Sequence, residues 1–268
     1  MLFRYNQILI KTRQISGLVL ISQVYLIISM YRFDSMNHKS WVYAKRPPSP
    51  QIRPQTPQEQ IYWQELHRKQ AQISPCSYSA QKERSVIGVR LHLTHQDETS
   101  MQDLNWLKQQ FSEANRLFKQ INVCFKVIHI QAHSSSDWHM KTRKQRTQLG
   151  YDSGQVSRLK KGQIDLFIVG RLDDVDRENT QIRGVHWRDP AHRRSRRWII
   201  LSRIAQPKVL AHELGHYFSL PHSKYTLSIM NKTPRDVPIK KRGFVKQELR
   251  QMRIFYKKMR QTAHLVPL

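Results

Sequence analysis

Three histidines and a glutamate stand close together in LAHELGHYFSLPHS, Leu210 to Ser223. His212 and His216 are four residues apart, so on an α-helix both rings lie on one face, one turn apart, close enough to share a cation. Glu213 sits one position round from His212, beside such an ion rather than on it. A carboxylate there can take a proton from a polarised water. His-Glu-x-x-His on a helix is the pattern of a zinc site whose glutamate serves as general base. A catalytic zinc ordinarily has three protein ligands and one open position, and His222 is the candidate third. On a continued helix it would lie about 240° round the axis from His216, so the helix must stop first. Pro221 disfavours helical geometry at Leu220 and cannot extend the ladder itself. The chain can then fold back and present His222. Glu248, in KQELR, is the other nearby side chain able to be a third ligand; His222 is preferred.

Several elements must position these residues. SVIGVRLHLTH alternates Ile87, Val89, Leu91 and Leu93 on one face and predicts a strand. In the following segment Ser100 and Asp103 make a capping-box-like start. Leu104, Leu107, Phe111, Ala114 and Phe118 then give one apolar helix stripe. NVCFKVIHI predicts a second strand, and residues 133 to 163 read as polar and irregular. IDLFIVG, Ile164 to Gly170, is a buried central strand by its continuous apolar run. RGVHW and RWIILS are two more short strands. The motif helix follows Pro207. A last helix is predicted over about Phe244 to Arg260, with Val245, Leu249, Met252, Tyr256 and Met259 in register. The order β-α-β-β-β-β-α, then an irregular stretch and a helix, predicts a mixed sheet with helices packed on it.

The chain has 268 residues, 46 Lys and Arg against 19 Asp and Glu, and a formal net charge of +27. Such a surface is drawn to polyanions such as nucleic acid, acidic lipid or anionic polysaccharide. The clusters KTRKQR, HRRSRRW and KKR lack the interleaved aromatics of a base-stacking platform and are read as solvated faces. Two cysteines, Cys76 and Cys124, exclude a multiply bridged miniprotein and any Cys-x-x-Cys site; one bridge between them is open in an oxidising compartment. Arg4, Lys11 and Arg13 precede the apolar run Ile15 to Tyr31, and no acidic residue occurs before Asp34. That is the export pattern. Residues 1–33 are therefore expected to be a signal peptide or signal anchor. Residues 34–84, rich in Pro and Gln, are expected to be a linker or pro-segment, extended or disordered, with a short helix in IYWQELHRKQAQ. His92, His95, His129 and His133 flank strand ends and are expected at the surface, and His186 is expected to face substrate or solvent.

The motif region resembles the metzincin zinc metallopeptidases. Their pattern is H-E-x-x-H-x-x-G-x-x-H followed by a methionine turn. HELGHYFSLPH matches it at His212, Glu213, His216 and His222, and LSIMN supplies Met230 eight residues past the last histidine. That short spacing looks most like the matrixin branch. DLFIVGRL, the edge-like RGVHW and the strand–helix–strand over residues 85–130 also resemble a metzincin upper subdomain. Ser219 departs from the motif glycine, whose position usually turns with positive φ; serine there costs on the order of 1 kcal/mol. Lys232 stands where some branches carry a tyrosine two residues past the methionine. The usual cysteine-switch motif is absent, leaving Cys76 only a weak candidate for a latency thiol.

The resemblance implies an α+β, metzincin-like zincin fold: a twisted mixed five-stranded sheet, two long helices above the cleft and a small C-terminal helical subdomain. The catalytic domain would span 85–268, divided into an upper part, 85–222, and a lower part, 223–268. It implies a monomeric zinc endopeptidase that cuts protein or peptide substrates, secreted, periplasmic or tethered at a membrane. His212, His216 and His222 would hold Zn²⁺, Glu213 would be the base, and Met230 a buried floor beneath the metal. Substrate would pair with an edge strand near residues 183–187. The basic face leaves an anionic surface open as a further partner. The alternative is a cationic surface- or nucleic-acid-binding protein with a structural or inactive zinc site, against which the retained Glu213 argues.

Overall fold

The computed structural model describes residues 57–76, 85–94, 103–133, 139–152, 162–191, 196–233 and 237–268. The apolar segment Ile15 to Tyr31, the Pro/Gln-rich stretch to residue 56 and His95 lie outside them. Among the described residues no helix is long and apolar enough to cross a membrane.

Strand β1, Ser85–Thr94, is buried along nearly its whole length, as a strand covered on both faces must be. It lies between β2, Val123–His133, and β4, Ile164–Val169, parallel to both. Strand β7, Arg197–Ser202, extends the sheet in parallel beyond β4, and β6, Gly184–Arg188, closes it as an antiparallel edge. The order is β2-β1-β4-β7-β6. A two-stranded ladder joins β3, His139–Met140, to β5, Arg171–Leu172. The fold is thus mixed α/β with a five-stranded, mostly parallel sheet, and each strand predicted from apolar patterning is present.

Among the described residues six helices accompany the strands: α1, Pro57–Arg68; α2, Gln70–Ile73; α3, Leu104–Phe118; α4, Arg143–Asp152; α5, Val209–Tyr217; and α6, Lys246–Gln261. The side chain of Asp103 caps α3 by accepting from the Asn105 N–H at 3.1 Å. The stripe of Leu107, Phe111, Ala114 and Phe118 is buried against one face of the sheet, in a core shared with Leu91, Ile168, Leu201, Leu214 and Met252. A smaller core, with Phe167, Trp187, Trp198 and Leu149, sits beside it.

Three sequence expectations change. The short helix expected in IYWQELHRKQAQ is present within α1 and α2, but the stretch is no extended linker: Trp63, Leu66 and Ile73 enter the main core. Ser74 Oγ accepts the Val127 N–H at 2.7 Å and the Gln70 amide donates to Val127 O at 3.2 Å. This segment therefore occupies the outer edge of β2, where unsatisfied backbone would otherwise invite another strand. Cys76 is bonded to Cys124 on β2, so it is no free latency thiol. The supposedly irregular 133–163 stretch contains β3 and α4. In α4, Arg146, Thr147 and Leu149 are buried, and Trp187 donates its indole N–H to Thr147 Oγ1 at 3.1 Å. Finally, His92 is fully buried. It stacks on Phe167 with ring centroids 4.3 Å apart and meets Asp165 at 2.8 Å. Arg90 donates to the same carboxylate at 2.7 Å. Burial alone would raise Asp165, but the bonds and charges of His92 and Arg90 outweigh it and hold the carboxyl below its usual range.

Candidate metal centre

The helix carrying the motif is short, nine residues, and its start is held from outside. Gln110 on α3 accepts the otherwise orphaned Leu210 N–H at 3.1 Å and donates to the carbonyls of Ala205 and Gln206. Lys208, at φ 78° just before the helix, is 5% exposed. Its ammonium donates to the carbonyls of Ile239, Lys240 and Arg242 at 2.8, 2.6 and 2.9 Å. The segment after residue 237 is thereby fastened to the root of α5. Neither Gln110 nor Lys208 was identified from sequence, because both act on backbone groups far along the chain.

The helix ends where the sequence requires. Phe218 is the last cap residue, and Ser219 takes φ 69°, the left-handed conformation that the motif position needs. The Leu220 N–H then bonds to Gly215 O at 2.9 Å, and the chain turns back. His212, His216 and His222 converge, with one ring nitrogen of each within 4.8 Å of the others. His212 Nδ1 meets Ile229 O at 2.7 Å and His216 Nδ1 meets Leu220 O at 2.7 Å. Those carbonyls require N–H at Nδ1, which leaves Nε2 as the lone-pair nitrogen. Burial lowers the pKa of all three imidazoles, that of His222 with help from the Lys232 charge. The set is therefore neutral and ready to donate electron pairs. Three neutral imidazoles, two of them with fixed tautomers, fit a zinc ion well.

Glu213 is 5% exposed. Burial raises its pKa to about 7, against the opposing charge of His216 and a backbone N–H from His186. Gly184 on β6 makes room for it: a Cβ there would lie 3.1 Å from Glu213 Cγ and 2.8 Å from Leu201 Cδ2. The His186 ring turns inward against Tyr217, with centroids 5.4 Å apart, and its Nε2 is shut off from solvent. The residue as a whole is half-buried.

Met230 is fully buried beneath α5, and a Cβ on Gly215 would come within 2.5 Å of its sulfur. Its turn is anchored twice. Met230 O accepts the Ser223 N–H at 3.0 Å, and Ser228 Oγ accepts the Met230 N–H at 2.9 Å. Glu248, weighed above as a ligand, is instead buried at the start of α6. It accepts from Ser228 Oγ at 2.7 Å and from the Val245 N–H at 3.0 Å.

No protein-family description matches the sequence, and no curated protein matches it. Among solved structures, the chain is similar to one titled as a chaperone–substrate complex, at TM-score 0.45 and 13% identity over 68% of this chain and 36% of that one. It thus spans about a third of that protein's length. Mature mirolysin of Tannerella forsythia in complex with a cleaved peptide matches at TM-score 0.43 and 11% identity, over 68% of this chain and 97% of that one. A promirolysin mutant from the same organism matches at 0.42 and 11%, over 80% and 95%.

Proposed function

We propose that the chain is a zinc-dependent endopeptidase of the metzincin type. The observation that carries this is the buried carboxylate of Glu213 beside three converging neutral imidazoles, since a purely structural site has no use for a base there. His212, His216 and His222 would hold the ion. Zinc, when bound, acidifies water and polarises a carbonyl. Glu213 receives the proton of the attacking water and delivers it to the departing amine, and the burial that lifts its pKa toward neutrality suits it to both transfers. An extended peptide would pair along β6, whose outer edge has no strand partner among the described residues. The segment after His222 would form the opposite wall, with residues 223–268 as the lower subdomain. The Cys76–Cys124 bridge supports an exported location, secreted, periplasmic or tethered.

The test is metal content together with cleavage of a denatured protein by the full chain. About one zinc per chain is expected. Glu213→Ala should keep the metal and lose cleavage by about 10² to 10⁴-fold. Equal cleavage by both proteins, or zinc uptake that survives removal of His222, would overturn the assignment.

A further inference from the structure

Helix α6 buries Leu249, Met252, Tyr256 and Met259 and turns an unusual face outward. Lys246, Arg250, Arg253, Lys257 and Arg260 are all exposed. At 100° per residue they fall within about 80° of arc, in a row about 21 Å long with one cation every three or four residues. Lys258 is exposed at the margin. The single acidic residue of the helix, Glu248, is buried and occupied with Ser228 and Val245. None of these six cations is in an ion pair with a described residue. Among the described residues, Arg253 alone of the six finds a side-chain hydrogen-bond partner, the carbonyl of Gln120 at 2.7 Å. Ile254 flanks the row and is 64% exposed.

A solvated helix face of a soluble domain ordinarily mixes both signs and gains from (i, i+4) pairs. Here like charges stand at that spacing, Lys246 with Arg250 and Arg253 with Lys257, at a cost that an external anion removes. We propose that the outer face of α6 is a docking surface for an anionic lipid bilayer. A straight row on a cylinder meets a flat surface along its whole length, so every cation reaches a headgroup at once. The exposed Ile254 gains by entering the headgroup boundary, whereas a phosphodiester backbone offers it nothing apolar. The outward face carries no aromatic side chain to stack on a base. The surface does not depend on the peptidase assignment.

The experiment uses the full chain with Ile254→Cys carrying an environment-sensitive fluorophore; the two native cysteines are bonded to each other and do not react. Vesicles of phosphatidylcholine alone are compared with vesicles that also contain phosphatidylglycerol. A blue shift is expected on the mixed vesicles only, reversed by high salt. Replacing Lys246, Arg250, Lys257 and Arg260 by Gln should weaken the partition at least about 100-fold, with an unchanged circular dichroism spectrum showing that the variant folds. An N-terminal segment that inserts by itself would bring the chain to both vesicles but would not move the label into the headgroups of the neutral ones. The same spectrum on both, no shift on either, or a Gln variant that retains the shift would overturn the proposal. A single-stranded oligonucleotide that strips the wild type from the mixed vesicles would reassign the face to nucleic acid.

Discussion

The Ser228 hydroxyl donates to Glu248 across 2.7 Å, and this one bond ties the turn carrying Met230 to the first turn of α6. Because Ile229, between those two residues, fixes His212 through its carbonyl, the bond also acts on the metal ligands. Glu248→Ala leaves the Ser228 hydroxyl and the Val245 N–H without their acceptor. It should cost about 2–3 kcal/mol in urea unfolding and weaken zinc about 10-fold in a chelator competition. A variant with unaltered zinc affinity would show that the turn is held by packing alone.

Glu213 should make the metal-free protein less stable as pH rises. Its folded value, about 7, lies above the ordinary 4.5, so the folded chain binds this proton more tightly than the unfolded chain does. That contribution is fully present below pH 4.5 and is lost as pH climbs through 7. Above that range the buried carboxylate opposes folding by up to about 3 kcal/mol. Glu213→Gln is expected to stabilise the metal-free protein above neutrality by a similar amount and to give no gain in acid. Thermal melts across pH in the presence of a chelator read this directly.

Ser219 occupies a conformation that glycine adopts freely. Relief of about 1 kcal/mol of strain, offset in part by the greater freedom of unfolded glycine, predicts a net gain of about 0.5 kcal/mol for Ser219→Gly. Ser219→Val should lose about 1–2 kcal/mol and weaken zinc, since the Leu220 carbonyl that orients His216 follows one residue later. Equal melting temperatures for the glycine and valine variants would show that the turn relaxes without strain.

The bridge between Cys76 and Cys124 spans a sequence separation of 48, for which chain entropy gives at most about 4 kcal/mol. Replacing both cysteines by serine should lower stability by about 2–4 kcal/mol. It should leave zinc affinity unchanged, because α1 and α2 lie beyond β2, four strands from the β6 edge. A large fall in zinc binding would mean that the two ends of the sheet are coupled.

The metal centre was legible in the sequence because its logic is local. Three residues on one helix, a histidine just past its end, one proline and one methionine lie within a span that spacing alone can interpret. The strands were legible because continuous or alternating apolar runs have few other uses. What escaped was tertiary. Helix α4 is polar almost throughout and is held by Trp187 and the burial of Leu149, neither visible from its own pattern. The short helix expected in IYWQELHRKQAQ is present, but Trp63, Leu66 and Ile73 are three apolar residues in a polar stretch, too few to show that it packs into the core. His92 resembled a strand-end surface residue until Asp165, 73 positions away, gave it a buried partner. Gln110, Lys208 and Glu248 act by bonding to backbone or hydroxyl groups, and such roles leave no periodicity.

The bridge at Cys76 also governs what a cut in the chain can achieve. Hydrolysis anywhere between residues 77 and 123 would yield two polypeptides that still travel as one molecule, with α1 and α2 seated on β2. A cut ahead of Pro57 would leave no disulfide joining the two pieces. Cleavage at the later position would go unseen on a non-reducing gel and appear as a pair of fragments only once a thiol is added.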